Sequence, residues 1–204
     1  KLLELEIHSD FEKIIVHTYQ NSEFKKLESQ KIIVKTHPFI NKGIIYQIFW
    51  QRYLLKKQIS RNHLLFTIDS TSFCKVKRNV VLNQDIIGFQ EGSLDYFSFK
   101  NKLISYFKYL VAKNALKNSI ANIFTTKYAL DEVVKKIGAV KNSVVIPHGI
   151  DGELLTKKTD YSISEDSVKI IYISPILDYK NHKYLISAIN NLPTKKKVCS
   201  YFVG

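Results

Sequence analysis

The 204-residue sequence has no methionine, two cysteines, one tryptophan and only three arginines, Arg52, Arg61 and Arg78. Each shortage excludes something. Cys74 and Cys199 are far apart and have no metal-ligand neighbours. This argues against a disulfide framework and for a reducing, cytoplasmic setting. No apolar run reaches the roughly 18 residues that a membrane-spanning helix requires. No G-x-G-x-x-G occurs, so the dinucleotide fingerprint of the NAD type is missing. The chain opens on Lys1, so it reads as a fragment, with any upstream signal segment left open.

The scarcity of arginine also weighs on the charge. The formal net charge is +13, and 28 of the 31 basic residues are lysines. Planar, bidentate reading of phosphates and base edges favours arginine, and no nucleic-acid-binding motif is present. A solvated lysine-rich surface is therefore expected first, an anionic membrane surface or a phosphorylated ligand second, and nucleic acid last. Hydrophobic residues make up 45% of the chain, enough to bury a core.

What is present alternates between two periods. Compact β-branched runs at 13–19, 31–36, 64–69, 80–85, 123–125 and 144–146 read as strands. The stretch 43–59 reads as a helix. Residues 97–118 carry Leu103, Ile104, Phe107, Leu110 and Val111 as one apolar stripe. A helix after Thr126, its expected N-cap, should stop at Gly138. Residues 156–167 are polar and aperiodic and read as a linker. A strand at 168–174, a helix at about 181–192 and a last strand, VCSYFV, follow. Strand–helix alternation of this kind predicts α/β architecture with parallel sheets, one domain over 1–155 and the start of a second over 168–204.

Three short stretches look functional, and all follow predicted strands: NQDIIGF, PHGID and SPILDYKN. Ligands of open α/β sheets bind beyond the carboxyl ends of strands. The run NSIANIFTTKYALDEVVKKIGAVKNSVVIPHGID resembles the end of the N-terminal domain in family 4 glycosyltransferases of the GT-B fold, which close on V-I-P-N-G-V-D. It keeps Ala121–Asn122 before the strand, the Thr126 hydroxyl and Pro147, Gly149, Ile150 and Asp151, with His148 in place of Asn. YISPILDYKNHKYLISAI resembles the opening strand, loop and helix of the family's donor domain, with Pro175 where the common pattern has Arg.

The resemblance implies a GT-B architecture of Rossmann-like domains, the first strand of the first domain lying before Lys1. It implies a cytoplasmic glycosyltransferase, at the inner face of a membrane in many relatives, that uses a nucleotide-sugar donor and a glycan or lipid-linked acceptor. Retention of configuration and no cofactor or metal are expected. Ser174, Lys180 and Asn181 take the donor-phosphate positions. Gln84 and Asp85 take the catalytic, acceptor-facing positions, and His148, Gly149 and Asp151 line the interdomain cleft, where Gly149 would permit the turn. The family's donor-sugar carboxylates are expected beyond residue 204, so these residues alone should transfer no sugar.

Each position also has an ordinary reading. Lys180 would be a solvated loop lysine, Asp85 a turn former, Gln84 a hydrogen-bonded strand end and His148 loop filler. His8, His17, His37, His63 and His182 show no metal-ligand spacing and read as structural. Nothing around Ser70, Thr71 and Ser72 marks a nucleophile elbow. The competing functional class is a non-catalytic basic α/β module binding nucleic acid or anionic lipid. The helix at 97–117, with Phe97, Phe99, Leu103 and Phe107 beside Lys100, Lys108, Lys113 and Lys117, would supply the lipid contact.

Overall fold

The computed structural model describes residues 10–95, 97–149, 167–177, 180–194 and 196–204. Ile150 and Asp151 of the PHGID run, and nearly all of the expected linker, lie outside them. Eight β-strands form three sheets, and every pairing is parallel. The first sheet pairs β1 (Ile14–Thr18) with β2 (Ile32–Thr36). The second runs in the order β3 (Leu65–Thr67), β4 (Asn79–Asn83), β5 (Ala121–Phe124), β6 (Ser143–Val145). The third pairs β7 (Ser167–Ile173) with β8 (Lys197–Val203). Parallel neighbours need crossover connections; helices supply those from β4 to β5, β5 to β6 and β7 to β8, a short 3-10 turn at Glu23–Leu27 lies between β1 and β2, and residues 68–78 lead from β3 to β4 without a helix.

The first helix, α1, lies between β2 and β3; it begins at Ile44–Phe49, widens into a π-helical stretch at Trp50–Leu55 and returns to α at Lys56–Gln58. Next come α2 (Phe99–Asn118) and α3 (Lys127–Ile137). The start and stop of α3 follow the sequence expectation. Thr126 Oγ1 accepts the Ala129 amide at 3.0 Å, and Gly138 ends the helix at φ 76°, a conformation that costs glycine little. The last helix, α4 (His182–Asn190), lies between β7 and β8 in the chain.

The main core lies between the second sheet and helices α2 and α3. Val81 and Phe124 from the sheet, Ala112, Ala115 and Leu116 from α2, and Ala129, Val133 and Ile137 from α3 are buried together with Phe89. This changes the expectation for α2. Leu103, Ile104, Phe107 and Leu110 remain 42–63% exposed, while the C-terminal residues Ala112, Ala115 and Leu116 bury. Small residues allow the last turns of the helix to approach the sheet closely, and the larger apolar side chains upstream stand clear of it. A second cluster joins Ile40, Trp50, Leu55 and Cys74. Burial pushes the Cys74 thiol up to about 11, against the opposing pull of Lys56 and Arg52, so it is no thiolate at neutral pH.

In the third sheet, α4 packs on one face, where His182 meets Tyr172 edge-on at 4.9 Å and Phe202 at 5.7 Å. The opposite face pairs Ile171 with Tyr201 and Ile173 with Val203, all 49–79% exposed.

A second change concerns Ala121 and Asn122, which lie inside β5 and not before it. Asn122 is fully buried. Its Oδ1 lies 2.8 Å from the Ser119 hydroxyl, and its Nδ2 donates to the carbonyls of Leu116 (3.1 Å) and Lys141 (3.0 Å). One side chain thus ties the end of α2, the start of β5 and the turn into β6. Asn122→Ala should lower unfolding free energy by about 1–3 kcal/mol, because it strands buried partners without replacement. Urea denaturation followed by circular dichroism measures this, and a variant as stable as the parent contradicts the structural role.

Candidate functional site

The register places several candidate residues at one edge. Asn83 aligns with Phe124, and Phe124 with Val145. The Ile146 amide extends the pairing by donating to the Phe124 carbonyl at 2.8 Å. The segments leaving β4, β5 and β6 therefore emerge together from the carboxyl end of the sheet, at about 4.8 Å per strand. Gln84 and Asp85 follow β4, and His148 and Gly149 follow β6; all four are exposed. Asp85 Oδ1 accepts the Ile87 amide at 2.9 Å, so this carboxylate closes an Asx turn and starts the loop away from the strand.

The turn expected at Gly149 runs into Ile150 and Asp151, which lie outside the described residues. The positive-φ glycines among the described residues are Gly43, Gly92 and Gly138.

The loop beyond Asp85 folds back on the helices. Phe89 is buried and stacks edge-on with Tyr109 at 5.3 Å, and Ser93 Oγ bonds to the carbonyls of Ile87 and Gln90. Between this loop and the helices lies a cavity of about 280 Å³, with Glu91 and Asp95 from the loop, Tyr106 and Tyr109 from α2 and Lys136 from α3 on its walls. Gln84 and Asp85 do not line it. Beside it Lys135 pairs with Glu91 at 3.4 Å, and Gln90 Nε2 donates to the Tyr128 hydroxyl at 2.9 Å.

Two features at the strand ends escaped sequence reasoning. Asn83 is fully buried; its Nδ2 donates to Ser70 Oγ at 3.3 Å, and its Oδ1 has no donor among the described residues. A polar residue closing the apolar run VVLN was the available signal. The other is a cavity of about 220 Å³ beyond β1 and β2, lined by His17, Lys35, Thr36, His37, Trp50 and Gln58. The His17 ring packs edge-on against Trp50 at 5.2 Å, and the His37 ring lies 6.1 Å from it. No sequence spacing joins these residues, because strand pairing and helix α1 bring them together.

Ser174, Lys180 and Asn181 all follow β7. The Ser174 amide donates to the Val203 carbonyl at 2.8 Å and its hydroxyl to the Pro175 carbonyl at 3.3 Å. The Tyr172 hydroxyl donates to the Lys180 carbonyl at 2.8 Å, which pins the end of the loop to the strand. Asn181 takes the N-cap position of α4 in the left-handed region, φ 59°, but its side chain makes no capping bond. The expected N-cap thus holds in place but not in side-chain bonding; only the Asn181 carbonyl takes part, accepting the Tyr184 amide at 3.0 Å. Among the described residues no cluster of three or more His, Cys, Asp or Glu side chains could hold a metal ion, and no helix is long and apolar enough to cross a membrane.

Compared with known proteins, this chain matches no family model, no curated protein and no solved structure. The functional reading therefore rests on the residues and their arrangement.

The electrostatics of the smaller cavity can be tested directly. Burial, then repulsion by Lys35 and His37, holds the His17 imidazole below its ordinary 6.5. An NMR titration of the free protein should show His17 protonating at a pH below that value. Protonation at or above it would mean that neither burial nor its basic neighbours act on the ring.

Proposed function

We propose that this protein is a glycosyltransferase of the GT-B type, transferring a sugar from a nucleotide-sugar donor to a glycan or lipid-linked acceptor with retention of configuration. In this reading residues 1–155 form the acceptor side and residues 168–204 belong to the donor side. The observation that carries it is the Tyr172–Lys180 bond at the end of β7. It holds a lysine-bearing loop at the start of a nine-residue helix whose N-cap side chain leaves the first amides uncapped. First-turn amides, the positive end of the helix dipole and an ammonium group would together suit a diphosphate.

During transfer the bond from the sugar's anomeric carbon to the diphosphate breaks as the acceptor oxygen bonds to that carbon, and the acceptor's hydroxyl proton passes to the departing diphosphate oxygen. Negative charge gathers on the departing phosphate, and Lys180 and the α4 amides would stabilise it. Gln84 and Asp85, exposed at the carboxyl end of β4, would orient the acceptor hydroxyl, with His148 and Gly149 on the neighbouring segment. The reading needs no cofactor or metal.

Lys180→Ala removes one hydrogen bond to a charged group, worth about 1.5–3 kcal/mol. The expected loss in affinity for uridine or guanosine diphosphate is about 10- to 100-fold, read by calorimetric titration. If the unaltered protein binds the nucleotide and the variant binds equally well, the assignment fails.

The exposed half of α2 favours a second contact, with an anionic membrane. Phe99 is 85% exposed, Leu103 63% and Phe107 54%. The helix also carries Lys100, Lys102, Lys108, Lys113 and Lys117 and no acidic residue. Apolar anchors flanked by lysines suit an anionic lipid surface. In liposome flotation, the protein should float with anionic vesicles and not with neutral ones. Replacing Phe99, Leu103 and Phe107 with serine should abolish this. Flotation that ignores lipid charge contradicts the reading.

A further inference from the structure

We propose that the cavity at the carboxyl ends of β1 and β2 is a binding site for a small oxyanion, the carboxylate or phosphate group of a ligand, held by Lys35, His37 and the indole N–H of Trp50. The proposal uses residues that the transferase reading leaves idle.

The strongest observation is an orphaned donor. Trp50 is 5% exposed and lines the cavity, and its Nε1 is buried without a hydrogen-bond partner among the described residues. An indole N–H can only donate. A buried donor without an acceptor is rare and costs free energy, so an acceptor belonging to a ligand would complete the site.

The neighbouring groups require the same kind of guest. His37 Nδ1 accepts the Phe39 amide at 3.2 Å. Its neutral ring therefore carries its proton on Nε2, a second donor. Lys35 contributes an ammonium, and Thr36 and Gln58 can each donate. No carboxylate lines the cavity. A wall rich in donors, with one fixed positive charge and no acid, is complementary to an oxyanion and repels a cation. The lowered basicity of His17 agrees, because the Lys35 charge that disfavours its proton would attract an anion.

Size narrows the class. At about 220 Å³ the cavity is smaller than the roughly 300–1,000 Å³ typical of sites for drug-sized ligands, so it fits one compact group. Its position beyond the carboxyl ends of two parallel strands is where open α/β sheets place ligands. Trp50 also opens a π-helical stretch within α1, a local distortion that often accompanies function.

Trp50 is the only tryptophan, so its emission reports on this cavity alone. The protein is titrated separately with inorganic phosphate, acetate and chloride at matched ionic strength. A saturable change with phosphate, acetate or both, and none with chloride, is expected. Phosphate alone assigns a phosphoryl ligand, and acetate alone a carboxylate. Lys35→Gln, a change at an exposed position, should weaken the response by about tenfold or more. Lys77→Gln, at an exposed position outside the cavity, should not. The same titration, followed by NMR of the unaltered protein, should shift the ring resonances of His17 and His37. The proposal is overturned by no saturable change with either oxyanion, by an equal response to chloride, by a Lys35→Gln response matching the parent, or by unmoved histidine resonances. Loss of nucleotide binding at α4 would leave this titration unchanged, so the two readings stand or fall separately.

Discussion

The parallel register around β5 is the constraint on which the larger sheet depends. β5 lies between β4 and β6, so every polar group it buries must be satisfied from within the protein. Asn122 does much of this by bonding to the end of α2 and to the turn before β6. Because these strands run the same way, their alignment decides which loops share an edge. A slip of one residue would exchange buried Phe124 and Asn122 for their partly exposed neighbours Ile123 and Ala121, and would move the loops after β4 and β6 out of line.

That edge collects the groups able to do chemistry, and it does so through chain direction. In an antiparallel sheet the segments after β4 and β5 would emerge at opposite ends. Here Gln84, Asp85 and His148 leave from the same side, next to the buried Asn83–Ser70 pair. The first and third sheets follow the same rule separately. His17 and Lys35 lie near the ends of β1 and β2, and Ser174 and Lys180 lie beyond β7.

Legibility in the sequence tracked the range of the interaction. Thr126, Gly138 and the β-branched runs act over a few residues, so α3 and all eight strands could be read within a residue or two. The apolar pattern of α2 was equally clear, yet periodicity shows only that a face exists. Whether that face is covered depends on how closely the helix axis approaches the sheet, and the small residues Ala112 and Ala115 set that approach at one end only. The Trp50 cavity could not be read at all, because its walls come from β1, β2 and a helix beyond them, joined only by tertiary pairing.

The excess of lysine connects these sites. An exposed lysine spread over a solvated surface contributes little to stability and says little about a partner. Its effect changes where the backbone already supplies donors or where an apolar wall lowers the local dielectric. Lys180 lies beside the start of a helix, and Lys35 beside a buried indole and two imidazoles. The lysines of α2 flank exposed aromatic side chains. In each case the lysine shares its site with groups of another kind, and on the proposed readings the combination would suit a diphosphate, a compact oxyanion or an anionic bilayer. Net charge alone points to anions in general; it is the backbone and the aromatic side chains that make each site selective.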